Sequence, residues 1–185
     1  MVIILTISQK YTQLRLSICE QVTEFFENEH PELKGHLHLT EIDAAALQAM
    51  RNTWEPHPIY SRNVGTVEDW RYTLQQYRIS YNSRMELAIW YDNQLCTLML
   101  GKVSNGKLTL KITYLQGAYN IEQLVGLRLA VATTYAETYA SALDIDWVGV
   151  QDPYEGAEHL YRDNGFTISD PFDRNNDALF KNISE

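Results

Sequence analysis

Cysteine, proline and glycine are all sparse in this chain, and bases are outnumbered by acids. Only two of its 185 residues are cysteine, Cys19 and Cys96, and neither has a C-x-x-C partner. A disulfide framework is therefore not expected; the two read as buried free thiols, which suits a reducing compartment. Nine glycines and five prolines, with no internal repeat, leave a composition that says globular and little more. Fifteen basic side chains stand against 24 acidic ones, a formal net charge of −9. Such a surface repels phosphate backbones and anionic lipid, so nucleic-acid and membrane partners are not expected, while cationic partners such as protonated amines are favoured. Long hydrophobic runs are missing as well. The start Val2-Ile3-Ile4-Leu5 is too short for a signal-peptide core and nothing approaches a membrane span, so the expected location is the cytoplasm.

What is present fits one domain over 1–185, with residues 1–35 as an extra N-terminal strand and helix. Residues 12–28 space Leu14, Leu16, Ile18, Val22, Phe25 and Phe26 as a helix does. A polar break with Pro31 follows. Residues 36–42 then alternate with period two as a strand, and Asp43 is placed to cap a helix through Ala44, Leu47 and Met50. Trp54–Asn63 reads as an irregular loop, and Thr66 with Asp69 as a capping-box start for a helix through Trp70, Leu74 and Tyr77. Three strands come next, 86–91, 95–103 and 108–115, joined by Asp92-Asn93 and Ser104-Asn105-Gly106. They predict an antiparallel meander with Leu108, Leu110, Ile112 and Tyr114 on one face. A helix over 121–143 and an apolar strand over 145–150 make a β-α-β crossover. Asp152-Pro153-Tyr154-Glu155 reads as a helix start and Asn164-Gly165 as its end, and two strands, 166–169 and 178–182, close the chain.

Two segments carry chemistry. In Gln123-Leu124-Val125-Gly126-Leu127-Arg128 a glycine-bearing turn opens the crossover helix. Unpaired N–H groups and the positive dipole end of such a helix attract phosphate oxygens, and glycine lets a ligand approach the backbone. The bland alternative is a helix start with a packing glycine. In Ala157-Glu158-His159-Leu160-Tyr161-Arg162-Asp163-Asn164-Gly165-Phe166 a tyrosine sits in an amphipathic turn ahead of a glycine stop. A phenol with a pKa of about 10 stays protonated at neutral pH and can donate a proton to a departing anion. Equally, Tyr161 reads as a core residue packed on Phe166.

Element order and both segments, over roughly residues 36–182, resemble the GNAT superfamily of N-acyltransferases. The resemblance implies an α+β fold, with a mixed, mostly antiparallel central sheet, a parallel β-α-β crossover and flanking helices. It implies acetyl-CoA as co-substrate, no metal, and direct attack by a primary amine in a ternary complex. Q/R-x-x-G-x-G/A of that family binds the coenzyme A pyrophosphate; Gln123 and Gly126 match, while Arg128 replaces the last small residue and either pairs with a phosphate or narrows the site. A-x-x-L-Y-x-x-x-G-F is matched in full, which implies Tyr161 as the acid that protonates the thiolate and Ala157 beside the pantetheine. Tyr154 stands where the family often has asparagine. Backbone N–H groups of Leu115, Gln116 and Gly117 are the implied oxyanion donors, and Leu124, Val125 and Leu127 complete the cofactor turn. For the base, the nearest carboxylates are Glu86, Glu122 and Asp146. Trp54, His57 and Tyr60 fall in the loop where the family builds its acceptor pocket, though an ordinary loop accounts for them too. His36 and His38 share a strand face with no metal-ligand partner at a convincing spacing. Monomer and homodimer both stay open. A catalytically degenerate module that binds coenzyme A without turnover is the alternative, and a purely structural protein would bind none.

Overall fold

The computed structural model describes residues 5–58, 60, 67, 69–119 and 121–184. The strand expected at Val2–Leu5 (but for Leu5), the capping role of Thr66 and part of the 54–63 loop lie outside them.

Helix α1 (Ile7–Glu29) starts earlier than periodicity predicts, because Thr6 and Gln9 form a reciprocal capping box. Its buried stripe is Arg15, Ile18, Cys19, Val22 and Phe26, so Leu16 and Phe25 face solvent instead of the core. Strand β1 (Leu37–Thr40) leads to α2 (Ala44–Thr53), where the Asp43 carboxylate accepts from Ala46 N–H at 2.8 Å as expected. Asp69 caps α3 (Trp70–Ser80) in the same way, through Tyr72 N–H. The meander is β2 (Met85–Tyr91), β3 (Gln94–Val103) and β4 (Thr109–Gly117). Then come α4 (Arg128–Ser141), β5 (Trp147–Gln151), α5 (Glu158–Asp163), β6 (Ile168–Ser169) and β7 (Ala178–Asn182).

These strands form one seven-stranded sheet in the order β1-β2-β3-β4-β5-β7-β6, with β4 and β5 its one parallel pair among the described residues. The α+β fold expected from the sequence is the fold observed. Two apolar layers cover the sheet. On one face α1 and α4 pack Ile18, Val22, Val131, Tyr135 and Tyr139 against Met85, Leu87 and Leu110. On the other, α2 and α3 pack Met50, Trp54, Trp70 and Leu74 against Ala88, Leu98 and Leu100. Cys19 and Cys96 are both buried free thiols. Among the described residues no helix is long and apolar enough to cross a membrane.

Three local departures from the sequence reading matter for function. First, β4 carries an extra residue: Leu100 faces Tyr114 while Gly101 faces Ile112, so Thr113 is bulged. The bulge reverses the alternation, and Tyr114 leaves the face of Leu110 and Ile112 to meet Tyr77 of α3, at 5.9 Å between ring centroids. Second, α4 starts at Arg128 and not near residue 121. Leu124 (φ +62°) and Gly126 (φ +87°) are left-handed, a conformation that no right-handed helix propagates. Third, Asp152 does not cap a helix. It sits at φ +46° just past β5, and a short 3₁₀ turn at Glu155–Ala157 precedes α5. The helix does end as expected at Gly165, at φ +89°.

Glu86 anchors the layers electrostatically. It is fully buried, takes hydrogen bonds from Arg78 (2.7 Å) and Arg84 (2.8 Å), and adjoins Arg15, which pairs with Glu41 and donates to the Arg84 carbonyl. Burial alone raises a carboxyl pKa; the hydrogen bonds from Arg78 and the charge of Arg84 outweigh it and hold Glu86 below its ordinary 4.5. A depressed folded-state value gives stability that is present above 4.5 and lost as pH falls through the folded-state value. Glu86→Gln should therefore cost roughly 3 kcal/mol at neutral pH, by urea denaturation, because it strands two arginines. The gap between wild type and variant should shrink as pH drops below 4.5.

Candidate active site

The pairing of β4 with β5 stops at Ile112 opposite Val150, yet β4 runs on to Gly117. Beyond that point the facing edges have no strand partner, and their backbone N–H and C=O groups line an opening in the middle of the sheet. A cavity of about 230 Å³ fills it. Residues Thr113–Gly117 form one wall, Val150–Tyr154 the other, and Ala157 and Tyr161 of the following turn and helix close one side. The opening connects the two faces of the sheet.

On the α4 face a smaller, largely apolar cavity of about 180 Å³ is bounded by Thr97, Leu115, Gly117, Arg128, Ala157 and Tyr161. Thr97 is 2% exposed, and its hydroxyl finds no hydrogen-bond partner among the described residues. The turn Gln123–Leu127 leads into Arg128, which lines this cavity. Arg128 neither points out as a free phosphate ligand nor crosses the cavity. It folds back, donating to the carbonyls of Ala118 (2.8 Å), Gln123 (3.1 Å) and Ile121. Burial lowers its pKa, but a guanidinium remains charged, so the residue is both a clasp on the 118–123 loop and a fixed positive charge at the wall. Its own N–H bonds to Leu124 O, whereas the amides of Gly126, Leu129 and Ala130 find no acceptor among the described residues. Left-handed Gly126, with open space where a Cβ would lie, keeps that backbone approachable.

Tyr161 belongs to both cavities. It is 8% exposed and packs edge-on against Phe166, with 6.3 Å between centroids. Its hydroxyl makes no hydrogen bond among the described residues and retains contact with the open cleft. Burial pushes the phenol up to about 12. Acid and packing roles thus coincide in one side chain: the ring is core, the oxygen faces the cleft.

On the α3 face a third cavity, about 530 Å³, shares Thr113, Tyr114, Gln151 and Asp152 with the central one and adds Tyr77, Tyr81 and Lys102. Asp152 is exposed, and among the described residues its carboxylate meets only the Gln151 amide, at 3.3 Å.

Several expected site residues are placed elsewhere. Glu86 is locked between arginines, away from the cleft. Glu122 and Gln123 line a separate cavity with Asn93 and Gln94. Asp146 precedes β5, at the end opposite the opening, where its carbonyl accepts from Ile183. Trp54 is wholly buried, its indole bonded to Leu95 O, and is a core residue, not a pocket wall. Leu124 and Leu127 point into the α4-side core, and Val125 into solvent. His57 and Tyr60 brace Tyr119, which lines the cleft, by stacking (5.7 Å) and edge contact (6.2 Å). Gln116 is buried, accepting from Trp70 Nε1 at 2.7 Å, so only its backbone is available to a ligand. His36 pairs with Asp92 on the exposed face of β1. Asp152, Lys102 and Thr97 escaped the sequence reading. The first was discoverable: ligands gather beyond the carboxyl ends of parallel strands, and Asp152 is the first residue past one.

No protein-family model matches the chain, and no curated protein does. Among solved structures, an acetyltransferase of the GNAT family from Staphylococcus aureus Mu50 superposes with a TM-score of 0.57 at 12% identity, over 80% of this chain and 99% of that one. The spermidine/spermine N-acetyltransferase SpeG from Vibrio cholerae gives 0.54 at 15% identity, over 82% and 95%. A GNAT family acetyltransferase from Elizabethkingia anophelis with acetyl-CoA bound gives 0.50 at 14%, over 80% and 98%. At such identities the likeness is one of fold: this chain has the GNAT fold.

Arg128→Gln should lose charge-assisted bonds to three carbonyls, costing about 2 kcal/mol in urea denaturation. Amide hydrogen exchange should quicken in 118–127 and stay unchanged in β2.

Proposed function

We propose that this protein is an acyl-CoA-dependent N-acyltransferase, with acetyl-CoA as donor and a primary amine as acceptor. The observation that carries the reading is the opening between β4 and β5, which joins a cavity under the α4 turn to one beside α3, with the Tyr161 hydroxyl between them. The fold it shares with coenzyme-binding acetyltransferases supports the assignment.

The residues present suit the donor. Free amides at the start of α4 and the charge of Arg128 suit a pyrophosphate. The unpaired edge of β4 offers N–H groups to a pantetheine arm and, near Leu115–Gly117, to the thioester oxygen. Thr97 supplies a desolvated hydroxyl below them. When bound, acetyl-CoA supplies the activated acyl carbon.

The amine nitrogen attacks that carbon with its lone pair; the C–N bond forms and the C–S bond breaks. Asp152 holds the incoming ammonium and takes one proton from it before attack, passing it to the solvent that reaches this exposed carboxylate. As the adduct collapses, the nitrogen gives its second proton to the same water and Tyr161 gives its own to the departing thiolate; that water returns a proton to Tyr161, so one proton is released per turnover. No cysteine is among the described residues that line the cleft; both thiols are buried, and burial pushes Cys19 up to about 12, so the amine attacks directly.

Tyr161→Phe should lower kcat about a hundredfold, the usual weight of a positioned acid, and move the acetyl-CoA Kd less than threefold, the latter by calorimetry. An unchanged turnover would remove the acid role. Tyr161 is protonated below about 12, so its function is lost only as pH rises through that value. Wild-type kcat should consequently rise with pH as the amine deprotonates and show no descending limb below pH ~10. Tight binding of acetyl-CoA without thiol release on any amine would indicate a non-catalytic binding module instead.

A further inference from the structure

The acceptor side of the cleft carries two opposite charges, neither in an ion pair among the described residues. Among the described residues lining the central and α3-side cavities, Asp152 and Lys102 are the only charged side chains. Asp152 lies where the two cavities meet, closest to the opening. Lys102, on β3, borders only the outer one. Its cross-strand neighbour Lys111 shows what a structural lysine does on this sheet: it pairs with Asp170 at 2.9 Å and lies over the Phe180 ring. Lys102 has no carboxylate within ion-pair distance among the described residues; its ammonium lies 5.6 Å from the Tyr81 ring centroid. Asp152 likewise has no cationic partner among the described residues. The cavity that holds both charges is also lined by Tyr77, Tyr81 and Tyr114, with the Tyr77 ring touching Tyr81 at 5.2 Å and Tyr114 at 5.9 Å.

We infer that the acceptor is an amine bearing its own carboxylate, an amino acid with an apolar or aromatic side chain. Its ammonium meets Asp152 and its carboxylate meets Lys102. The order of the charges sets its direction: the reacting nitrogen lies at the opening, the carboxylate outermost, the side chain along the tyrosines. A dication or polyamine would put a second positive charge against Lys102, and a neutral amine would leave that lysine unanswered. The inference rests on the acyl-transfer reading above and adds the class of substrate to it.

The test uses the full chain, acetyl-CoA and matched pairs, each an amino acid and the amine left by its decarboxylation: phenylalanine with phenethylamine, leucine with 3-methylbutylamine. Thiol release should give the amino acid of each pair a kcat/KM about tenfold or more above its partner, the scale of one charge-assisted hydrogen bond. Lys102→Met should bring that ratio near one, chiefly through KM for the amino acid, and Lys102→Glu should invert it; thermal melts establish that both fold. Equal or better use of the decarboxylated amines by wild type overturns the inference, as does a ratio unmoved by both substitutions. Either result leaves acyl transfer standing. Acetyl-CoA binding with no turnover of either compound also overturns it, and failure to bind acetyl-CoA overturns both readings together.

Discussion

Everything proposed for this molecule depends on two parallel strands that pair for four residues and then part. Between Thr109 and Ile112 the ladder to β5 is regular; after it, β4 continues with one edge bare. A bare edge inside a sheet is normally costly, because buried N–H and C=O groups need partners. Here it is tolerated because the opening is a cleft, reachable from both faces. Bulged Thr113 sits at the parting point and sorts the side chains beyond it, sending Leu115 to the α4 side and Tyr114 and Gln116 to the α3 side.

The surrounding layers hold that opening in place. Arg128 ties the loop after β4 to the first residue of α4, so the wall and the turn that would receive a diphosphate move as one. On the far side of the sheet, Trp70 reaches Gln116 and clamps β4 from behind. Arg15 brings the N-terminal helix into the Arg84–Glu86–Arg78 network, an ionic seam between α1, β2 and α3. A buried seam of this kind contributes little net stability against an apolar equivalent but strongly disfavours other arrangements of the same helices.

Much of this was legible in the amino-acid order. Period-two alternation located the meander, Asp43 was in fact a cap, and Gly165 was in fact a left-handed stop; Asp69, read as the partner of Thr66 in a capping box, instead caps α3 itself. The Leu160-Tyr161 turn stood out in the sequence, and Tyr161 does line a cleft. What could not be read was anything decided by tertiary pairing. The bulge at Thr113 leaves no trace in residue type, so Tyr114 was assigned to the wrong face. Glu86 looked like an available carboxylate because arginines 8 and 2 residues away converge on it only in three dimensions. Trp54, beside prolines in an irregular stretch, looked like a pocket wall until its indole was found bonded to β3. Asp152 is the converse case. Its place before proline suggested a helix cap, but a left-handed backbone turns it out of that role and into the cleft.

The bulge also ties the number of residues in β4 to the faces that its side chains occupy. Exchanging a side chain between Thr113 and Gly117 alters one lining group and leaves its neighbours where they were. Straightening the strand without shortening it restores strict alternation and transposes the whole downstream half-strand between layers: tyrosine ring and carboxamide under α4, leucine among the phenols. Removing Thr113 together with the bulge keeps every later side chain on its present face, so the extra residue and the kink can be gained or lost only as a pair.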